Sequence, residues 1–217
     1  MKFTWAVIAS YFVVLPLITG LVRFDRIGKR YRPLFISLIA ALITELISTY
    51  LIKFKRHSNA EVSNTYALLE WILIFWQFRT WGAFRLRKEI GWAVLLIPCG
   101  IWIAENLIFG QMTDFSPYFR ICYGALIVLF SVNKINFMIT HDNRNLLGHP
   151  EFLICIGFII YFVYDIIYEW AYRYSITNPI EITTRIISLF GYINALTNII
   201  FAIALVKLPA EKKLRLW

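Results

Sequence analysis

Seven apolar runs, each close to the length of a bilayer-spanning helix, divide this chain almost end to end. They are Phe3–Val22, Pro33–Ile52, Val62–Trp81, Ile90–Phe109, Tyr118–Met138, Glu151–Tyr172 and Ile182–Val206. A helix needs about 20 mostly apolar residues to cross the hydrocarbon. Lipid offers no hydrogen bonds, so a crossing run must pair its own backbone groups, and a helix does so within one segment. Short connections make consecutive helices antiparallel neighbours. The expected fold is therefore an all-α membrane protein: one seven-transmembrane-helix bundle over residues 1–217, with no linker and no second domain. The first run is read as a retained helix, because no small-residue cleavage site precedes the charges that follow it.

Composition agrees. The chain is 59% hydrophobic and 16% charged, against about 45–50% and about 25% in soluble domains. Its formal net charge of +9 raises the question of nucleic acid. The basic residues, however, sit in short clusters between apolar runs, and no nucleic-acid recognition motif is present. Fifteen of the 22 Lys and Arg fall on one side if the N-terminus is outside. That side holds Arg23, Arg26, Lys29, Arg30, Arg32, Arg79, Arg85, Arg87, Lys88, Lys134, Arg144 and the basic tail. The positive-inside rule then places the N-terminus out and the C-terminus in. A basic loop at Lys53, Lys55 and Arg56 runs against the trend.

The third run carries a carboxylate, Glu70, near its middle. An ionisable group at the centre of a spanning helix costs about 3 kcal/mol on insertion scales and marks a functional site by default. At 1.5 Å per residue, Glu70 lies about 12 Å below the outer end. The same bookkeeping places Glu45, Glu105, Asp165, Glu169, Arg120 and Arg185 in the outer half as well. The inner half holds mainly Gln77, Asn133 and Lys134.

Helical spacing gathers these groups on stripes. Ser37, Ala41, Thr44, Glu45, Ser48 and Thr49 share a small, polar face of the second helix. Ser63, Tyr66, Glu70 and Gln77 share one on the third, and Gly157, Tyr161, Asp165, Tyr168 and Tyr172 on the sixth. Gly191, Asn194 and Asn198 do so on the seventh. Such faces turn inward, because lipid cannot satisfy them. The expected ligand-binding residues are Glu45, Tyr66, Glu70, Tyr161, Asp165, Asn194 and Asn198, lining an outward-opening acidic pocket for a small polar or cationic ligand. Snorkelling to the interface accounts for Glu105, Glu169, Arg120 and Arg185. An aromatic belt accounts for Trp102, Tyr168, Trp170 and Tyr172. Asn194 and Asn198 also fit the role of interhelical hydrogen-bonding groups.

Several chemistries find no residues. His57, His141 and His149 lie in loops, and the spacing of Cys99, Cys122 and Cys155 is neither a disulfide framework nor a zinc site. No G-x-S-x-G, phosphate loop or central lysine on the seventh helix is present. No metal, cofactor or catalytic residue is therefore assigned. Ligand sensing or binding is the leading expectation, and an enzyme is disfavoured. Two alternatives stay open: a small-solute or proton-coupled transporter built from parallel three-helix repeats, and a lipid hydrolase using two buried carboxylates. Expected partners are the lipid bilayer and a cytoplasmic signalling partner at the basic inner loops, with no nucleic acid.

Three segments carry a resemblance: RPLFISLIAALITELIS (Arg32–Ser48), NTYALLEWILIFWQF (Asn64–Phe78) and HPEFLICIGFIIYFVYD (His149–Asp165). With a late acid in the second helix, an Asn and Glu six apart in the third and a Pro-x-Phe start to the sixth, the chain resembles an uncharacterised family of small seven-helix proteins common in Bacteroidota-type bacteria. It departs from many of them at Asp165, where a small residue is usual. The resemblance implies a bacterial inner membrane and neighbouring sensor kinases, and supplies no reaction.

Overall fold

A computed structural model describes residues 8–55, 57–84, 88–110, 112–141, 145–177 and 181–209. Seven helical rods follow one another among them. Ile8–Val22 (α1) contains a tighter turn at Tyr11–Val13 and continues as regular helix from Val14. Arg32–Tyr50 (α2) runs on through a widened turn at Leu51–Lys55. Then come Ala60–Thr80 (α3) and Lys88–Ile103 (α4), the latter extended by a widened turn at Ala104–Ile108. Pro117–His141 (α5), Pro150–Thr177 (α6) and Glu181–Val206 (α7) complete the set. Each rod matches one apolar run to within a few residues. Residues 3–7 of the first run lie outside the described residues, as do Arg56, Arg85, Arg87, Arg144 and the basic tail beyond Pro209.

Among the described residues, five helical segments are long and apolar enough to cross a membrane: Arg32–Lys55, Glu89–Ile108, Pro117–His141, Pro150–Arg173 and Ser188–Val206. The fold is thus all-α among the described residues, in the manner of a multi-pass membrane protein. Ile8–Val22 is a shorter apolar helix. α3 is 21 residues long, but it carries Glu61, Ser63, Asn64, Thr65, Glu70, Gln77 and Arg79. Its polarity has a packing reason. Ten of its residues are buried, Asn64, Glu70 and Gln77 among them, so these polar groups meet protein.

Six rods form a ring. α1 adjoins α2, α2 adjoins α3, α3 adjoins α5, α5 adjoins α6, α6 adjoins α7, and α7 returns to α1. α4 stands outside, packed on α3 and α5. The Trp71 indole N–H donates to the Leu95 carbonyl of α4 at 3.2 Å. Close approach within the ring depends on small residues. A Cβ on Gly157 would lie 2.5 Å from the Phe201 ring, and one on Gly20 would lie 2.5 Å from Phe35.

Two polar clusters tie the ends of the bundle. At the end rich in Lys and Arg, the buried Gln77 amide serves the start of α2. Its Oε1 accepts the Leu34 N–H at 2.9 Å, and its Nε2 donates to the Arg30 carbonyl at 2.6 Å. A first-turn N–H has no partner within its own helix, so a side chain from α3 takes that place. Beside it, the buried Glu151 pairs with Arg30 and, at 2.8 Å, with Lys134 Nζ. Burial, followed by the Glu151 carboxylate, raises the neighbouring Tyr31 phenol well above its ordinary value.

At the opposite end, the widened turn of α4 aims two side chains at α5. The Glu105 carboxylate accepts the Tyr118 and Phe119 N–H groups at 3.1 and 2.6 Å. A carboxylate at a helix start is favoured both by the orphan N–H groups and by the helix dipole. Glu105 therefore anchors α5, a role beyond the expected snorkelling, while staying half-exposed. Asn106 accepts from Asn64 Nδ2 and from the Ser116 hydroxyl, both at 2.9 Å. Trp102 is held the same way, its indole donating to the Asn64 carbonyl at 3.0 Å. It is an internal strut and not a belt residue, whereas Trp170 is exposed.

Candidate binding site

The six-helix ring encloses a cavity of about 960 Å³. All seven residues expected to bind a ligand line it. Glu45 comes from α2, Tyr66 and Glu70 from α3, Tyr161 and Asp165 from α6, and Asn194 and Asn198 from α7. Four stripes read separately from spacing thus face one space. Among the described residues, none of α4 lines it.

Glu70 is the best-held acid. Tyr66, one turn earlier on α3, donates its hydroxyl to Oε1 at 2.8 Å, and Tyr123 of α5 donates to Oε2 at 2.9 Å. Both oxygens therefore have donors from fixed helices. Glu45 takes a hydrogen bond from the Ser10 side chain of α1. Asp165 differs. It is 3% exposed and lines the cavity, and it feels the charges of Arg120, Glu169 and Glu70. No group among the described residues donates a hydrogen bond to it.

Asn194 and Asn198 combine both expected roles. Asn194 Nδ2 donates to the Ala9 carbonyl at 3.1 Å, tying α7 to α1. Asn198 Nδ2 donates to the Asn194 carbonyl at 2.9 Å and to Asn194 Oδ1 at 3.0 Å. The Tyr161 ring packs against Phe162 and Phe190, and its hydroxyl makes no hydrogen bond among the described residues.

The upper wall holds a pair that interface snorkelling does not account for. Arg120 and Glu169 are both largely buried and both line the cavity. Arg120 Nε lies 3.4 Å from Glu169 Oε1, close enough for an ion pair, but the angle gives no hydrogen bond. Arg120 Nη2 donates to the Ser63 hydroxyl of α3 at 2.6 Å. A signal for this pair existed in the sequence. α5 and α6 run antiparallel, and both residues lie about 30 Å from the turn between them at 1.5 Å per residue. Opposite charges at matched depth on a helical hairpin meet if their faces agree. Arg185, by contrast, is exposed at the rim, where the expectation put it. Tyr168 and Tyr172 line the cavity, not a lipid-facing belt.

Tyr123 carried no advance signal, since a tyrosine on an apolar helix face reads as core. It is 1% exposed and packs, tilted or edge-on, within a cluster of Phe119, Trp71 and Phe162. Below the acids, the cavity floor is apolar, built by Leu34, Leu38, Ile74, Phe158 and Phe201. Among the described residues, no group of three or more His, Cys, Asp or Glu is close enough to hold a metal ion.

No protein-family model matches the chain, and neither a curated protein nor a solved structure matches it.

Proposed function

We propose that this chain is a seven-span protein of a bacterial inner membrane, N-terminus out and C-terminus in, that binds a small polar or cationic solute in the ring cavity as a sensor or receptor. The observation that supports this reading most is the convergence of Glu45, Tyr66, Glu70, Tyr161, Asp165, Asn194 and Asn198 from four helices on one space. Its size, about 960 Å³, falls within the range of about 300–1,000 Å³ typical of small-molecule sites. Buried acids inside a membrane bundle are costly and are kept where a function uses them. The orientation follows from the Lys and Arg bias. The basic loops on the inner side are suited to a cytoplasmic signalling partner and to anionic lipid headgroups.

The test is thermal stabilisation of the purified protein by a panel of amino acids, polyamines, sugars and nucleosides, run beside Glu70→Gln. A solute that raises the midpoint of the native chain and raises it less in the variant supports the cavity as a solute site. A panel without any shift removes that support.

Transport is the second reading, favoured by the ring itself. α1–α3 and α5–α7 each occupy half of it in chain order, with α4 outside, as parallel three-helix repeats require. Uptake of a stabilising solute into proteoliposomes separates transport from sensing. The hydrolase reading loses ground at Glu70, whose oxygens are both engaged by tyrosine hydroxyls and so are poorly placed to take a proton from water.

A further inference from the structure

We propose that the cavity takes an amphiphilic organic ammonium ion, its cationic head against Asp165 and its apolar body on the floor of Leu34, Leu38, Ile74, Phe158 and Phe201. This rests on the cavity being a solute site and names the class of solute.

Asp165 locates the head. Its carboxylate is buried, borders the cavity and receives no hydrogen bond among the described residues. Arg120, whose positive charge acts on it, already contacts Glu169 and donates to Ser63. A buried charge without donors is penalised by several kcal/mol, and ammonium N–H groups supply what is missing. A second group points the same way. The Thr197 hydroxyl is on a residue 2% exposed, has no hydrogen-bond partner among the described residues and lines the same cavity.

The surroundings of Asp165 fit a cation. On its own helix Tyr161 and Tyr168 flank it at i−4 and i+3, on one face. Phe190 of α7 joins them, its ring centroid 5.7 Å from Tyr161 and 4.8 Å from Tyr168. Aromatic faces beside a carboxylate attract organic cations by their quadrupoles. A bare metal ion fits less well, because the acids are too dispersed to chelate one. An anion would face Glu45, Glu70, Asp165 and Glu169.

The floor calls for an apolar body. Leu34, Leu38 and Glu45 all line the cavity from α2, and Leu34 lies about 16 Å below Glu45 at 1.5 Å per residue. A small hydrophilic cation would leave that depth unused, whereas an alkyl or aryl chain buries it at about 0.8 kcal/mol per CH₂.

The experiment uses the full chain in lipid nanodiscs and isothermal titration with butyl-, hexyl- and octylammonium, the alkanols and alkyl carboxylates of equal length, and empty discs as reference. The ammonium ions are expected to bind saturably, at least about tenfold tighter than the matched alkanols, and to gain affinity with chain length beyond partitioning into empty discs. Asp165→Asn is expected to bring the ammonium ions down to the alkanols. Leu38→Trp is expected to abolish the chain-length gain while butylammonium still binds. Equal binding of ammonium and alkanol, preference for the carboxylates, or unchanged binding in Asp165→Asn overturns the ammonium assignment and leaves the solute site standing. Absence of binding by all three probe classes, with sugars or nucleosides still stabilising the protein, does the same. If no compound of any class binds, the solute-site reading falls as well. Should Asp165→Asn fail to fold, the native ammonium-to-alkanol ratio and Leu38→Trp decide.

Discussion

The Tyr123 hydroxyl donates to Glu70 Oε2 at 2.9 Å across 53 residues of chain, joining α5 to α3 at the cavity wall. These two helices are neighbours only because α4 stands outside the ring. The bond therefore closes the ring as well as orienting the acid. Tyr123→Phe keeps the ring packing against Phe119 and Trp71 and removes only the donor. A buried acceptor left without its partner costs about 1–3 kcal/mol. Tyr123→Phe is expected to lower stability by about that amount in detergent unfolding. Glu70→Gln, whose amide keeps one acceptor oxygen, should lose less when combined with Tyr123→Phe than the sum of the two single losses. Additive losses would mean that the two side chains are not coupled.

Arg120 and Glu169 make a sharper case, because they form an ion-pair contact in a largely buried place. Removing one partner of a buried pair strands the other charge, at a cost of about 3–5 kcal/mol. Arg120→Leu and Glu169→Leu should each destabilise strongly, and Arg120→Leu/Glu169→Leu should recover most of the loss. Midpoints of thermal unfolding for the four proteins form the cycle. A double variant no more stable than the worse single one would show that Arg120 serves Ser63 and Asp165 more than Glu169.

The helices and the polar faces were legible in the sequence, whereas several partners were not. Twenty-residue apolar runs have little choice of structure in lipid, so each rod lies within a few residues of its run. Depth along a rod and the face of a residue follow from 1.5 Å and 3.6 residues per turn, which is why Glu45, Glu70 and Asp165 converge as read. Which non-consecutive rods touch is set by side-chain fit around the whole ring, and no local pattern encodes it. Nothing local around Tyr123, on an apolar face of α5, pairs it with Glu70 of α3. Glu105 is a related case. The widened turn at Ala104–Ile108 carries the carboxylate onto the start of α5, a contact that depth alone does not give.

Gly157 backs the Phe201 ring on the cavity floor. A methyl group there would lie 2.5 Å from the Phe201 ring, and Phe201 forms part of the floor. The helix backbone of α6 cannot retreat without disturbing both neighbours, so the ring is the part that moves. Gly157→Ala is expected to cost about 1–3 kcal/mol, as overpacking does, and to weaken any ligand that reaches the floor. Phe201→Leu placed on top of Gly157→Ala should restore both stability and binding. If Phe201→Leu rescues neither, the strain is absorbed elsewhere in α6 and Gly157 does not shape the cavity.

Seven crossings need both α1 and α3, and α3 is the one that is long enough to span yet too polar to pass on composition. Composition is a poor guide for a helix that lipid touches on one narrow strip. The exposed residues of α3 are Glu61, Thr65, Leu69, Ile72, Trp76 and Arg79, at successive spacings of three or four. Along that strip the middle is apolar and the two ends are charged, which is what a spanning helix presents to a bilayer. The buried polar groups face protein instead: Asn64 toward Asn106, Glu70 toward Tyr123, and Gln77 toward the start of α2. A membrane-impermeant maleimide is therefore expected to label His57→Cys and Ala83→Cys from opposite faces of the membrane, in a background with Cys99, Cys122 and Cys155 replaced. Labelling of both from one face would mean that α3 does not cross, and the seven-span topology would be lost with it.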